Sequence, residues 1–236
     1  MFFKKSINLT AYTHDGTAMN TCKPEYRSTT RPDWLVKLKN FVTVKDEQSQ
    51  IYIKNPTAGT CPGIRDYLGL PIQIKMWADL DIKIMPDGTW TYYTRPDWQV
   101  GIAEHGKSQF GEAYNNRLSL KLLSPWYFVC DEPIKFVFTE SHYSTSFFRD
   151  KNILLPPGII DYKFQHSTNV HLSVPILDEP YTVRLRHGTP LVSMFPLTER
   201  PINFNTKQVS VEEYTNISTH MPKMFIGRYY KQPGMK

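Results

Sequence analysis

The sequence predicts a mainly β protein with few short helices, arranged as a sandwich or a barrel. Apolar and polar residues alternate with a period of two in several segments, which is the pattern of half-buried strands. The 18 prolines and 12 glycines lie mostly between these segments, as the turns of many short strands require. Helical signals are few and do not alternate with the strands, so an α/β repeat is not expected.

The first part of the chain differs in composition from the rest. Residues 1–60 are polar and low in glycine, and we expect an irregular N-terminal segment that packs on the core. The compact β pattern begins near Cys61 and predicts a core over residues 61–202. It opens with "CPGIRDYLGL", where a proline at the first helical position, Pro62, favours one short helix.

A β-hairpin is predicted by "DLDIKIMPDGTWTYYT". Leu80, Ile82 and Ile84 fall on one face of a strand, and the charged residues between them fall on the other. The turn signal Pro86-Asp87-Gly88 then leads into a second strand that begins near Trp90.

Five further strands complete the core, and a long exposed loop is expected over residues 104–116. The strands are expected at 117–123, 134–139, 169–176, 181–186 and 190–195. Ser210 and Glu213 form a capping-box pattern that favours a short helix over 210–218. The C-terminal segment, residues 203–236, shows no clear strand pattern and is expected to be an extended arm.

Composition excludes several classes of protein. With 28 Lys+Arg against 22 Asp+Glu, the chain is mildly basic without a basic run, so nucleic-acid binding is possible but not indicated. Three widely spaced cysteines (Cys22, Cys61 and Cys130) and the absence of metal-ligand spacing among the histidines favour neither a disulfide scaffold nor a metal site. We expect no resident cofactor, no signal peptide in "MFFKKSINLT" and no membrane span.

One tetrapeptide bears on whether the protein is an enzyme. Gly158-Ile159-Ile160-Asp161 places a carboxylate directly after an apolar pair, within "LLPPGIIDYKFQHSTNVHLSVPI". Asp161 is either a turn residue that caps a hairpin or a base held on a rigid strand to activate water.

This segment resembles the C-terminal half of the dUTPase and dCTP-deaminase superfamily. That resemblance implies a β-clip fold, in which Gly158, Ile159, Ile160 and Asp161 occupy the motif of the water-activating aspartate. The framework positions that follow the motif are Leu172, Val174, Gly188 and Leu191.

The chain also departs from that superfamily. It has no "PRSGL"-like phosphate-binding segment, no metal-binding aspartate in a first motif and no glycine-rich closing arm, and Ser193 stands where the family has a glutamine. Pyrophosphate chemistry needs a metal clamp and phosphate donors as well as a base. Magnesium is therefore expected only if the enzyme interpretation holds, and Asp161 is expected to be structural.

A second resemblance covers residues 31–200. The segments "RPDWLVKL", "CPGIRDYLGLPIQIKMWADLDIKI", "LLSPWYFVCDEPIKFVFTE" and "PPGIIDYKF…GTPLVSMFPL" are similar to a family of uncharacterised proteins of tailed bacteriophages and marine bacteria. The resemblance implies a genomic context, namely a phage genome, more than it implies a biochemical activity.

These observations leave three candidate functions. The first is a virion-associated structural or decoration protein that uses a non-catalytic β-clip for self-assembly, as a homotrimer, and for docking on other virion proteins. The second is a phage protein outside the virion that acts on a host partner in the cytoplasm during infection. The third is a dUTPase-like nucleotide pyrophosphatase that uses Asp161.

Overall fold

The segments that alternate in the sequence form strands in a computed structural model of the chain. The structure describes residues 5–27, 31–95, 100–106, 116–143, 147–165 and 167–218. The strands are β1 (Ile7–Thr13), β2 (Glu25–Tyr26), β3 (Phe41–Lys45), β4 (Tyr52–Pro56), β5 (Ile72–Lys75), β6 (Leu80–Ile84), β7 (Trp90–Thr94), β8 (Gly101–Glu104), β9 (Arg117–Leu123), β10 (Tyr127–Cys130), β11 (Lys135–Glu140), β12 (Gly158–Asp161), β13 (Val170–Pro175), β14 (Tyr181–Leu185), β15 (Pro190–Pro196) and β16 (Ile202–Gln208).

Short helices join some of these strands. The α-helices are α1 (Gly16–Thr21), α2 (Asp33–Lys37), α3 (Pro62–Gly69), α4 (Phe147–Asp150) and α5 (211–218), and a 3-10 turn covers Ala58–Thr60. The helix predicted at Pro62 is confirmed, with the proline in its first turn. The helix predicted after Ser210 is also confirmed, because Ser210 Oγ accepts the backbone N–H of Glu213 at 3.1 Å. Of the expected loop 104–116, residues 107–115 lie outside the described residues.

The strands of the described residues form five sheets. Their orders are β10-β1-β16, β12-β11-β15-β5-β2, β13-β9-β8, β14-β6-β7 and β3-β4. The mainly β class is confirmed, and none of these sheets closes into a barrel. The β-clip identification stays a prediction.

The hairpin predicted from "DLDIKIMPDGTWTYYT" is confirmed as β6 and β7. Leu80, Ile82 and Ile84 are fully buried, and Ile84 pairs with Trp90 across the turn. Gly88 adopts a φ of +82°, a left-handed conformation that glycine reaches without the strain of a side chain.

The expected irregular N-terminal segment and the expected C-terminal arm meet in one sheet. Ile7–Thr13 form the central strand β1, whereas the sequence predicts no strand in residues 1–60. Ile202–Gln208 form β16 and pair in parallel with β1 along its whole length, so the prediction of an arm without strands is wrong at these residues. Residues 219–236 of that arm lie outside the described residues.

Aromatic and ionic contacts explain why β16 joins the core. Phe204 lies against Phe128, with ring centroids 6.3 Å apart. Just before the strand, the Arg200 guanidinium holds both carboxylate oxygens of Glu132, at 2.6 and 2.8 Å. A bidentate pair of this kind fixes orientation as well as distance. Neither contact is visible in the local alternation of the sequence.

The hydrophobic core lies between the sheets. Its largest fully buried side chains include Trp126, Tyr162, Phe128 and Phe136. The Tyr162 hydroxyl accepts a hydrogen bond from Thr168 Oγ1 at 3.0 Å, which gives this buried polar group a partner. Among the helices of the described residues, none has both the length and the apolar character that crossing a membrane requires.

Candidate functional site

The Gly158–Asp161 motif lies at the edge of the five-stranded sheet. As β12 it pairs antiparallel with β11, with Ile160 opposite Phe136 and Asp161 opposite Lys135. Ile159 is 56% exposed, although it stands in a strand and is apolar. The motif therefore presents part of an apolar strand to the surface.

Asp161 forms a turn at the end of this strand. Its side chain is buried, and Oδ1 accepts the backbone N–H of Lys163 at 3.0 Å. Its carbonyl accepts the N–H groups of Phe164 and Gln165, at 3.0 and 2.9 Å. This is the geometry of an Asx turn, in which a side-chain oxygen replaces a backbone acceptor. The carboxylate is thus engaged with the backbone of its own turn.

Burial raises the pKa of the Asp161 carboxyl above its usual range. The N–H of Lys163 and the charges of Lys135 and Lys163 act in the opposite direction and do not cancel the effect of burial. Because the folded-state pKa lies above the unfolded one, the contribution of this group to stability is largest at low pH. It is lost as the pH rises through the folded pKa.

We expect Asp161→Asn to stabilise the protein slightly at pH 7, by less than about 4 °C in Tm. The asparagine oxygen still accepts the Lys163 N–H, while the buried charge is gone. The difference from wild type should vanish near pH 3, where the aspartate is protonated in both states. Thermal melts at the two pH values test this. Asp161→Ala, which loses the acceptor, should be less stable at both, and an asparagine variant less stable than wild type at pH 7 would contradict the argument.

A cleft of 290 Å³ runs along the motif. One wall is apolar and the other is polar and uncharged. The apolar wall comprises Phe138, Pro156, Pro157, Gly158, Ile159 and Ile160, and the polar wall comprises Gln165, Ser167, Asn169 and His171. The polar residues recur at every second position, which is the spacing of one face of an extended chain. Aspartate, glutamate, lysine and arginine are absent from the lining residues that the structure describes.

His171 contributes a neutral ring to this cleft. Burial, with a smaller contribution from the nearby His105 and Lys121, lowers the pKa of His171 to about 4. Its ring stacks on His105, with centroids 4.8 Å apart. At neutral pH the imidazole is therefore uncharged, and it adds a hydrogen-bonding group to the cleft without adding charge.

The predicted site residues separate into three places. Gly158, Ile159 and Ile160 line the cleft, whereas the Asp161 carboxylate turns into its own loop. Gly188 lies in the turn between β14 and β15, where its N–H bonds to the Met76 carbonyl at 2.8 Å and its φ is +79°. Its role there is that of a turn glycine.

The polar wall was missed by sequence reasoning. The signal was present as alternation in "FQHSTNVH", where Gln165, Ser167, Asn169 and His171 occupy every second position. The same pattern is equally typical of a solvated strand face, because alternation does not reveal which element lies opposite. Within the residues that the structure describes, no group of three or more His, Cys, Asp or Glu residues is placed to hold a metal ion.

Comparison of the chain with protein-family models and with curated proteins finds no match.

Proposed function

We propose that the protein is a virion-associated structural protein of a tailed bacteriophage that works by self-association. The phage context comes from the resemblance of residues 31–200. The observation that carries self-association is a hairpin, β3–β4, whose apolar side chains are exposed. The expected stoichiometry is a homotrimer.

The hairpin is separate from the other sheets. Among the described residues, β3 and β4 pair only with each other. Every residue of the two strands is exposed. The register places Val44 opposite Ile53, and the backbone bond from Asp46 to Ile51 extends the pairing to the turn. The apolar side chains on one face of the hairpin are Val42, Val44, Ile51 and Ile53, and we call this patch the arm face. Asn55, opposite Val42, and Asp46, opposite Ile51, lie on the same side of the hairpin.

Exposure of the arm face is unfavourable for an isolated monomer. Its side chains are 42–64% exposed. A two-stranded hairpin is marginally stable by itself in water, and contiguous apolar patches on soluble proteins commonly mark interaction surfaces. Covering the arm face therefore stabilises both the hairpin and the contact.

The charge of the hairpin favours a second copy of the chain as the partner. Lys45 and Lys54 balance Asp46 and Glu47, so the hairpin is neutral although the whole chain carries +6. Two copies of a basic protein repel each other least where each presents a neutral surface.

The cleft supports a structural role over nucleotide hydrolysis. A nucleoside triphosphate needs cations or metal ions against its phosphates, and the described lining of the cleft carries no charged side chain at neutral pH. The carboxylate of Asp161 is already bound to the N–H of Lys163. Hydrolysis of dUTP or dCTP with magnesium by wild type, abolished in Asp161→Asn, would contradict the structural role.

We expect Val44→Asp to dissociate the oligomer. An unpaired carboxylate in an apolar interface costs about 3–5 kcal/mol, which weakens association by a factor of more than about 100. Sedimentation across micromolar concentrations should show a trimer for wild type and a monomer for the variant. Val211→Asp changes another exposed valine, on α5, in the same way; it is the matched control and should remain a trimer. A monomeric wild type would contradict self-association, and absence of the protein from purified particles would contradict the virion assignment.

A further inference from the structure

The strand β12 has an open edge that faces the cleft. Among the strands that the structure describes, β12 lies at the end of its sheet and pairs on one side only, with β11. The N–H of Leu197 bonds to the Lys135 carbonyl, so Lys135 directs its backbone groups toward β15. In an antiparallel sheet these directions alternate along a strand. Phe136 and Ile160 therefore face each other, and Ile159 turns its N–H and C=O outward.

The hairpin also has, among the described residues, an open strand edge, which is that of β3. The Thr57 N–H bonds to the Asn40 carbonyl, and the Asp46 N–H bonds to the Ile51 carbonyl. By the same alternation, Val42 and Val44 direct their backbone groups toward β4, and Thr43 directs its N–H and C=O to the outer edge. An exposed edge of this kind is a template for pairing with another chain.

The two edges are similar in length, and each is mostly uncharged: Lys45 ends β3, and Asp161 ends β12 with its carboxylate turned into its own loop. Phe41–Val44 is a four-residue uncharged run, and β12 is a four-residue strand. The cleft is uncharged, so a charged strand would lose its hydration there without compensation, whereas an uncharged apolar strand loses little. The apolar wall beside Ile159 suits Val42 and Val44, and the amides of Gln165 and Asn169 supply further hydrogen-bonding groups.

We propose that β3 of one copy adds as a strand to β12 of the next copy, within the cleft. This inference rests on the proposed self-association and names the surface that receives the hairpin. The contact is heterologous, because the hairpin of each copy enters the cleft of another. A heterologous contact closes into a ring when its rotation permits, which agrees with the expected trimer. Thr43 and Ile159 form the central pair of the new ladder.

Two proline variants test this pairing. Thr43→Pro and Ile159→Pro each remove an outward N–H and leave the bonds to β4 and β11 in place. Each should weaken association about 10- to 100-fold, with circular dichroism unchanged. Asn169→Arg puts a charge into the polar wall of the cleft without altering β12, and it should weaken association to the same extent. It replaces Ile159→Pro as the test if that variant misfolds.

Mixing the variants gives the decisive measurement. Thr43→Pro keeps an intact cleft and Ile159→Pro keeps an intact hairpin, so an equimolar mixture should form a 1:1 heterodimer and no larger species in sedimentation. Failure to form the heterodimer would overturn the inference. If both proline variants remain trimers while Val44→Asp is monomeric, the hairpin associates through its arm face alone. The inference is then wrong and the proposed function stands. A monomeric wild type would contradict both.

Discussion

Replacing Trp126 with alanine is expected to lower the free energy of unfolding by about 3–5 kcal/mol. Trp126 is 0% exposed and is the largest of the fully buried side chains. Its removal leaves a cavity that the surrounding strands fill only in part, so lost contacts add to the lost transfer free energy. Urea titration at neutral pH measures the effect.

Two further variants distinguish the effect of the cavity at position 126 from the effects of losing the indole N–H or of replacing any tryptophan. The indole N–H of Trp126 has no hydrogen-bond partner among the described residues, so Trp126→Phe removes a buried polar group and should lose much less stability than alanine. Trp34→Ala makes the same chemical change at a position that is 42% exposed, and it should lower the free energy of unfolding less than Trp126→Ala does. Equal losses at positions 34 and 126 would contradict the assignment of Trp126 to the core.

Asn205→Pro is expected to destabilise the protein severely, and more than Thr206→Pro by about 1–3 kcal/mol. The Ile7 N–H bonds to the Pro201 carbonyl and the Val209 N–H bonds to the Thr13 carbonyl. Every second residue of β16 between these points, including Asn205, therefore directs its N–H toward β1. The N–H of Thr206 points to the outer edge.

Comparing the two proline variants isolates the contribution of the hydrogen bonds between β1 and β16 to stability. Both prolines impose the same φ, but only the one at 205 leaves a carbonyl of β1 without its donor. Thermal and urea melts of the two variants measure the difference. Equal stability of the pair would show that the ladder between β1 and β16 contributes little, and that the C-terminal segment is the separable arm that the sequence predicts.

Local pattern was sufficient where an element is defined by its own residues. Alternation predicted β6, and Pro86-Asp87-Gly88 predicted the turn to β7 because turn chemistry is local. Pro62 and Ser210 marked the starts of α3 and α5 for the same reason.

Tertiary contacts settled the features that local pattern leaves open. β16 reads "INFNTKQ", with few apolar residues, and it becomes a strand because β1, about 195 positions earlier in the chain, supplies its hydrogen bonds. The cleft forms because folding brings Pro156, Pro157 and β12 together with the polar residues of the later segment, Gln165, Ser167, Asn169 and His171. Local residue order was enough to specify the mainly β class and the hairpin turn. The turn of Asp161 into its own loop and the position of Ile159 at a cleft required the folded chain, because burial and edge position depend on which strands pair.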